Sequence, residues 1–234
     1  MRYHGRCSLS VAASSLRLSR QPPFARGLHM ADRRYGEQAP PIESTIRGQD
    51  WFGRDVANEE FARAEFLDVD LSEARLRNTI FTECAFRGVA FNLSTHIDCA
   101  FLNCTFTGCS FFDATFTDCK ATASMFDRCS FTLLEVRGGD WSFVGLPGAD
   151  LRGTKFLDVR LREADLTGAR CEKAIFRNSD LSGAWLSHAD FSHSDLRGSD
   201  ISTLDPTNTT AARALIDPDQ AVAIAQSLGL RVEY

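Results

Sequence analysis

Residues 178–200 read NSDLSGAWLSHADFSHSDLRGSD, and this stretch decides the fold because Leu or Phe returns at every fifth position. A period of five fits neither the 3.6-residue period of a helix nor the two-residue period of a strand. The stretch therefore predicts a repeat architecture in which neighbouring units share one core. The centres of its blocks are Leu181, Leu186, Phe191 and Leu196.

The same frame extends over most of the chain without a slip. Counted in steps of five from Trp51 to Ile201, 23 of the 31 centres are Leu or Phe, and only His96 is polar. A small residue, most often Ala, Cys or Ser, stands two positions before most centres. The other three positions are rich in polar residues and Gly, which suits a solvated surface with tight corners. Two inward positions in five predict a chain that turns a corner every five residues.

The blocks ADLRG at 149–153, ADLTG at 164–168 and HADFSH at 188–193 resemble the repeats of the pentapeptide-repeat family. The resemblance covers about two thirds of the chain. It implies an all-β fold, a right-handed quadrilateral β-helix with four pentapeptides in each coil. The centre and the small residue before it would be stacked inside.

Three segments are expected along the chain: a disordered basic extension at 1–49, the β-helix at 50–203, and a C-terminal cap and dimerisation helix at 204–234. Residues 1–49 contain eight Lys or Arg against three acids, and no apolar run long enough for a signal peptide or a membrane span. An organellar transit peptide and an over-extended translation start, with Met30 as the true start, both fit this composition. Neither interpretation affects the repeat.

The C-terminal helix is indicated by DPDQ at 217–220, where Asp217 is the N-cap, Pro stands in the first turn and Gln220 is the third helical residue. Gly229 is expected to end it. A cap that folds back on the last coil and a homodimer interface both fit the pattern, and the two are compatible. The apolar stripe consists of Ala221, Ile224, Ala225 and Leu228.

Two stretches narrow the resemblance within the family: residues 205–230 and FTLLEVRGGD at 131–140. They resemble the mycobacterial fluoroquinolone-resistance members of the family and, more distantly, the plasmid Qnr proteins. That resemblance implies a dimer joined at the C-terminal ends, a rod that imitates duplex DNA, and DNA gyrase as the partner. Several Qnr proteins carry loops that their protective activity needs, whereas this frame has no insertion. The resemblance therefore favours gyrase inhibition over displacement of the drug.

The charge distribution gives this interpretation partial support. Residues 50–234 carry 28 acids and 18 Lys or Arg, which the basic first 49 residues mask in the whole-chain net charge of −5. Residues 55–73 are strongly acidic and residues 74–134 are balanced. With twenty residues in a coil, Asp180 and Asp200 should lie on one face with no cation between them, at a cost in stability. Ordinary solubility charge is the alternative explanation. Residues 180–205 contain Arg197 as their only Lys or Arg. The candidate gyrase-facing surface consists of the aspartates of this stretch, Asp180, Asp190, Asp195, Asp200 and Asp205.

The cysteines and histidines indicate no chemistry. Six of the eight cysteines occupy the small inward position and Cys171 occupies a centre, so burial as small hydrophobic residues accounts for them. No C-x-x-C pair is present, and we expect reduced thiols, no metal and a cytoplasmic protein. His96, the one polar centre, is expected to be partly buried and hydrogen-bonded rather than catalytic. No phosphate loop or nucleophile motif occurs, so we expect neither an enzyme nor a cofactor.

Two functional hypotheses follow. The first is a DNA-mimicking homodimer that binds and inhibits DNA gyrase and reduces fluoroquinolone susceptibility, with no direct contact to nucleic acid or membrane. The second is an interaction scaffold with an unknown partner and no effect on topoisomerases. The acidic stretches and the C-terminal resemblance favour the first hypothesis.

Overall fold

The computed structural model describes residues 41–233, and these form a four-walled β-solenoid followed by one short helix. Every ladder is parallel and pairs a residue with the residue twenty positions later, as in Ser44 with Ala64 and Thr105 with Met125. One coil therefore takes four pentapeptides, and the expected β-solenoid is confirmed. Disorder is expected for residues 1–49, of which residues 1–40 lie outside the part of the chain that the structure describes.

Short parallel strands form three sheets, in the orders β1-β4-β7-β10-β12, β15-β14-β13-β11-β8-β5-β2 and β3-β6-β9. The elements are β1 Ser44–Arg47, β2 Asp55–Ala57, β3 Glu60–Ala62, β4 Ala64–Leu67, β5 Arg75–Arg77, β6 Ile80–Thr82, β7 Ala85–Arg87, β8 Thr95–Ile97, β9 Ala100–Leu102, β10 Thr105–Thr107, β11 Thr115–Thr117, β12 Met125–Asp127, β13 Glu135–Arg137, β14 Lys155–Leu157, β15 Ile175–Arg177 and the helix α1 Pro218–Ser227.

Each coil has four walls, which follow one another along the chain so that the first faces the third and the second faces the fourth. We name them by their centres, which recur every twenty residues. Wall 1 has centres 46 to 186, wall 2 has centres 51 to 211, wall 3 has centres 56 to 216, and wall 4 has centres 61 to 201.

The interior consists of stacked centres, flanked by the small residues that precede them. On wall 1, Phe66, Phe86, Phe106 and Phe126 stack with ring centroids 4.8, 4.7 and 4.5 Å apart. These distances match the strand spacing of about 4.8 Å, which brings identical side chains of successive coils into contact. Burial of each centre contributes roughly 1.5–3 kcal/mol, most of it offset by ordering of the backbone.

The residue two positions after a centre turns the corner, and it has a positive φ through most of the coil, as at Asn58, Asp68 and Asn78. Gly, Asn and Asp adopt this left-handed conformation at low cost, which explains the polar and Gly-rich corner positions of the repeat. Leu93 and Leu133 occupy the same position at φ 58° and 62°. A left-handed backbone is unfavourable for a large aliphatic residue, so leucine at these two corners does not stabilise the turn.

Both expected boundaries of the β-helix differ from those of the structure. The ladder already begins at β1, where Ile46 continues the series of centres opposite Phe66. At the other end Asp195 still pairs with Leu215, twelve residues beyond the expected end at residue 203. The coil continues because Ala211, Ala214 and Ile216 still pack against the core.

The expected helix is confirmed as α1, preceded by Asp217 with an extended backbone and followed by Gly229 at φ 78°. The Asp217 N–H donates to Gln220 Oε1 at 2.7 Å, which is half of a capping box. Gln220 also donates through Nε2 to the carbonyl oxygens of Leu196 and Ser199, each at 2.7 Å. These bonds anchor the helix to the last coil.

Candidate functional surface

The five candidate aspartates share a structural role in their turns. Four of them stand directly before a centre and Asp205 stands before Pro206; the Oδ1 of each accepts a hydrogen bond from the backbone N–H two residues later, at 2.8 to 3.4 Å. An Asp side chain that bonds the backbone in this way stabilises a turn. The turn geometry therefore accounts for the Asp of the repeated ADLRG-type block without a binding partner. Asn at the same position would keep an oxygen that accepts this hydrogen bond.

These aspartates form a collar around the last coils rather than one patch. Asp180 and Asp200 are neighbours on wall 4, as expected. Asp190 lies on wall 2 and Asp195 on wall 3, and Asp205 lies in a turn beyond the last wall-1 centre. Because the chain turns a corner every five residues, the 26 residues from 180 to 205 visit all four walls.

Two of the five carboxylates have cationic partners that the charge count along the chain missed. Arg162 Nε lies 2.5 Å from Asp180 Oδ2, so the expectation of no cation beside this pair is wrong. Asp195 Oδ2 accepts from Arg177 at 2.7 Å and from Arg197 at 2.8 Å. Arg162 and Arg177 precede their partners by 18 residues and reach them from the preceding coil.

The electrostatic environment favours the ionised form of both paired carboxylates. Hydrogen bonds from Arg197 hold the pKa of Asp195 well below its usual range, against a smaller effect of burial and with further help from Arg177. Partial burial acts to raise the pKa of Asp180, but hydrogen bonds from Ser182 and Arg162 outweigh it, and the pKa is lowered. A lowered pKa means that the folded state stabilises the charge. Asp180 is therefore not a point of net repulsion in the fold.

A longer acidic surface runs along wall 4. Its acids are far apart in sequence, so a count of charges along the chain assigned them to different segments. The outward column of this wall consists of Lys120, Asp140, Arg160, Asp180 and Asp200, each bridged to the next. The corner between walls 3 and 4 carries Asp98, Asp118 and Asp158 in the same register, all with positive φ. Sorting the acids by their position within a twenty-residue coil would have found this surface. We call Asp118, Asp140, Asp158, Asp180 and Asp200 the wall-4 acids.

A notch interrupts this surface where Gly138 and Gly139 replace side chains. Gly139 has φ 84°, and a Cβ there would lie 2.0 Å from the Cys119 carbonyl oxygen, so the close approach requires glycine. The notch has a volume of about 570 Å³ and is open to solvent. Its charged lining residues are Asp118, Lys120, Asp140, Asp158 and Arg160, of which Arg160 and Asp140 pair at 3.2 Å.

The C-terminal end exposes apolar surface. Within the predicted stripe, Ile224 and Ala225 are partly buried, whereas Ala221 and Leu228 are exposed. Leu215, Leu228 and Leu230 are 52, 50 and 60% exposed. An apolar pocket of about 350 Å³ remains between the helix and the last coil, lined by Leu196, Leu204, Pro206, Ala211, Ala214, Ile216 and Ile224. The helix therefore covers the end of the core only in part.

The remaining candidate residues lie where their positions in the repeat predicted. Six of the seven described cysteines are buried and Cys129 is partly buried, all as free thiols. His96 is fully buried, and its Nε2 lies 2.9 Å from Ser94 Oγ. Within residues 41–233, no group of His, Cys, Asp and Glu is arranged to hold a metal ion. The one helix of this part of the chain is too short and too polar to cross a membrane.

Comparison with known proteins supports the repeat assignment. The family model for pentapeptide repeats matches residues 60–94, 146–183 and 174–202, with eight copies. The chain is 50% identical over 40 residues to pentapeptide repeat protein MfpA of Mycolicibacterium smegmatis, a match that spans 17% of this chain and only 21% of that protein.

Two solved structures share the architecture. Both are of QnrB1, a plasmid-mediated fluoroquinolone resistance protein. A trypsin-treated form aligns with a TM-score of 0.54 at 18% identity, over 81% of this chain and 100% of that one. The full-length form aligns with a TM-score of 0.53 at 19% identity, over 81% and 99%. The chain therefore contains pentapeptide repeats at residues 60–94 and 146–202, within a four-walled coil that shares the architecture of the QnrB1 structures.

Proposed function

We propose that this protein binds DNA gyrase as a DNA mimic and inhibits it, and thereby reduces susceptibility to fluoroquinolones. The partner is suggested by the resemblance of residues 205–230 and 131–140 to the fluoroquinolone-resistance members of the family. The observation that carries the proposal is the line of wall-4 acids, which runs along the rod to Asp200 in the last coil. A bacterial partner of this kind implies a cytoplasmic location.

The charge density of the rod indicates which part of the surface matters. Residues 50–234 carry a net charge of −10, and eight coils at about 4.8 Å each span roughly 40 Å. That is one net charge per about 4 Å, against one per about 1.7 Å in duplex DNA. The whole rod is therefore a weak imitation of duplex charge, and acids that form no ion pair with a described residue, such as Asp118, Asp158 and Asp200, must supply the contacts.

The notch at Gly138 supports the same surface. It leaves room for a Lys or Arg side chain of the partner between Asp118 and Asp158, two coils apart. A guanidinium placed there would exchange water for carboxylate oxygens, which gives strong, charge-assisted hydrogen bonds. DNA-binding grooves present such cationic side chains to phosphates.

The proposed active form is a dimer joined through α1 and the exposed residues around it. Burial of Leu215, Leu228 and Leu230 against a second copy would cover the apolar end of the core. The collar of Asp180, Asp190, Asp195, Asp200 and Asp205 would then be doubled near the dimer axis, and the wall-4 acids would continue on both sides of it.

The test is a gyrase supercoiling assay with the purified protein and an Asp118→Asn, Asp158→Asn, Asp200→Asn variant. None of the three carboxylates forms an ion pair with a described residue, and their replacement leaves the core intact. We expect half-inhibition to need about tenfold more of the variant, equivalent to about 1.4 kcal/mol of binding energy. Inhibition by the parent should weaken steeply with added salt, because the contact is mainly electrostatic.

The control is Asp113→Asn, Asp127→Asn, Asp165→Asn, which removes the same number of carboxylates from other walls; of the three, Asp127 pairs with Arg128 at 2.9 Å. Asp127 and Asp165 belong to wall 1, and Asp113 lies at the corner between walls 2 and 3. This variant should inhibit as the parent does. If the parent does not inhibit supercoiling, or if both variants lose inhibition equally, the DNA-mimic proposal fails and an interaction scaffold takes its place.

A further inference from the structure

Wall 2 carries a strip of exposed apolar side chains that the proposed gyrase surface does not use. Leu93, Phe112 and Leu133 lie on three successive coils and are 47, 43 and 55% exposed. Phe52, at the first coil of the same wall, is 55% exposed. Leu93 and Leu133 keep their exposure in left-handed corner positions that favour Gly, Asn or Asp. Neither core packing nor turn geometry explains these residues.

Carboxylates without cationic partners lie among these apolar residues. Asp50 and Asp70 are bridged neighbours on wall 2, and Glu73 and Asp113 occupy corners of the same wall. None of the four makes an ion pair with a residue of the described chain. We call Phe52, Asp70, Glu73, Leu93, Phe112 and Leu133 the wall-2 strip.

The composition of the strip selects the kind of segment that would fit it. A second copy of wall 2 would bring carboxylates against carboxylates, which disfavours self-association. A segment that combines Arg with Leu or Phe would satisfy both components at once, because apolar burial and charge pairing would occur along the same line.

The chain itself contains such a segment. Residues 1–40 hold seven Arg against two acids, with apolar residues between them, as in LRLSR at 16–20 and FARGL at 24–28. The described chain starts at the N-terminal end of the rod, where the Glu43 N–H donates to the Arg63 carbonyl oxygen at 2.7 Å. Forty residues span up to about 130 Å when extended, whereas the strip from Phe52 to Leu133 covers about 20 Å. Reach does not limit the contact.

We propose that the Arg- and Leu-containing segment within residues 1–40 docks on the wall-2 strip of the same molecule. The docked segment covers Phe112 and the two leucines and pairs its arginines with Asp70 and Glu73. This contact does not depend on gyrase as a partner. It leaves wall 4, on the opposite side of the rod, free.

The experiment is photo-crosslinking in the full-length protein with p-benzoylphenylalanine in place of Phe112, followed by peptide mapping. The matched control carries the same group in place of Phe143, a corner aromatic residue of wall 4. We expect crosslinks from position 112 to peptides of residues 1–40 within one molecule, at a yield independent of protein concentration. The control position should give none.

Two further variants test the chemistry of the contact. Arg17→Gln, Arg20→Gln, Arg26→Gln removes cations from the segment, and Asp70→Asn, Glu73→Gln removes carboxylates from the strip. Asp70 accepts a hydrogen bond from the Ser72 N–H at 2.9 Å, and the amide oxygen introduced by Asp70→Asn can accept the same bond, so the coil is kept. Each variant should reduce the crosslink from position 112 to the level of the control. Absence of crosslinks to residues 1–40, crosslinks only between molecules, equal yield from position 143, or yields unchanged in both variants would each overturn the proposal.

Discussion

At the scale of single residues, His96 is the one polar centre of the repeat, and it affects how stability depends on pH. Its ring stacks on Phe116 at 4.2 Å with an interplanar angle of 6°, as a Phe centre would. Burial lowers the pKa of His96 from its ordinary value of 6.5, because the charged imidazolium is poorly solvated in the core; the Cys99 thiol opposes this only in part. The histidine is therefore neutral in the folded protein.

We predict that His96→Phe removes a loss of stability at mildly acidic pH. Because the folded pKa lies below the unfolded value, the unfolded chain binds the proton more readily, and the parent loses stability as pH falls through 6.5. The loss is at most about 1.4 kcal/mol per pH unit. Denaturant unfolding at pH 7, 6 and 5 measures it, and the difference between parent and variant should grow towards pH 5.

The control for this prediction is His193→Asn, at an exposed corner with φ 60°, where Asn suits the backbone. Its pH profile should follow the parent. Ser94 keeps a partner in His96→Phe, because its hydroxyl also donates to the Phe91 carbonyl oxygen at 2.6 Å. A difference between His96→Phe and the parent that stays constant with pH would show that the histidine is not titrating in the unfolding equilibrium.

At the scale of one element, α1 supplies hydrogen-bond donors to backbone carbonyl groups of the last coil, which has no following coil to pair with in the described chain. Within the coil, the Asp200 N–H donates to the Ser179 carbonyl oxygen, and in the described chain no further coil supplies the equivalent donor to Ser199. The Gln220 side-chain amide takes that place and bonds the Ser199 carbonyl oxygen at 2.7 Å. A single side chain thus caps both the helix and the ladder.

Gln220→Ala should therefore destabilise the C-terminal end by about 1–3 kcal/mol, since it leaves backbone groups without partners. Thermal unfolding and hydrogen exchange of residues 217–228 would measure the effect, and exchange should rise there first. Gln226→Ala, at an exposed position of the same helix, should change stability by less than about 0.5 kcal/mol. Equal effects of the two substitutions would mean that the amide bonds to the last coil contribute nothing.

At the scale of the whole molecule, the apolar C-terminal end predicts self-association. Leu228→Asp, Leu230→Asp would place two charges in the proposed dimer interface without touching the coil, because both leucines are at least half exposed. We expect the parent to sediment as a dimer and the variant as a monomer with an unchanged far-ultraviolet spectrum. Ile224→Asp is less informative, since Ile224 also packs against the core.

Ile80→Asp, Ile97→Asp is the control, with 37 and 38% exposure on coils near the N-terminal end of the rod, away from α1. It should leave the dimer intact. A parent that sediments as a monomer would leave α1 as a cap only and would remove the doubled collar from the proposed function.

The sequence by itself determined the path of the chain. A core residue every five positions, a small residue two before it and a polar corner two after it allow one geometry, because these constraints act between neighbours along the chain. The helix was equally local: Asp217 and Gln220 at its start and Gly229 after its end carry the signal within 13 residues.

Only the tertiary structure decided which charges meet. Asp180 and Arg162 are 18 residues apart and face each other because a long side chain bridges two coils, so a count along the chain assigned them to different segments. Asp118 and Asp200 share one surface because the chain returns to the same wall every twenty residues, although they belong to stretches with different net charge. The ends of the coil, at Ile46 and Ile216, were likewise set by packing against the core, which a five-residue frame does not report.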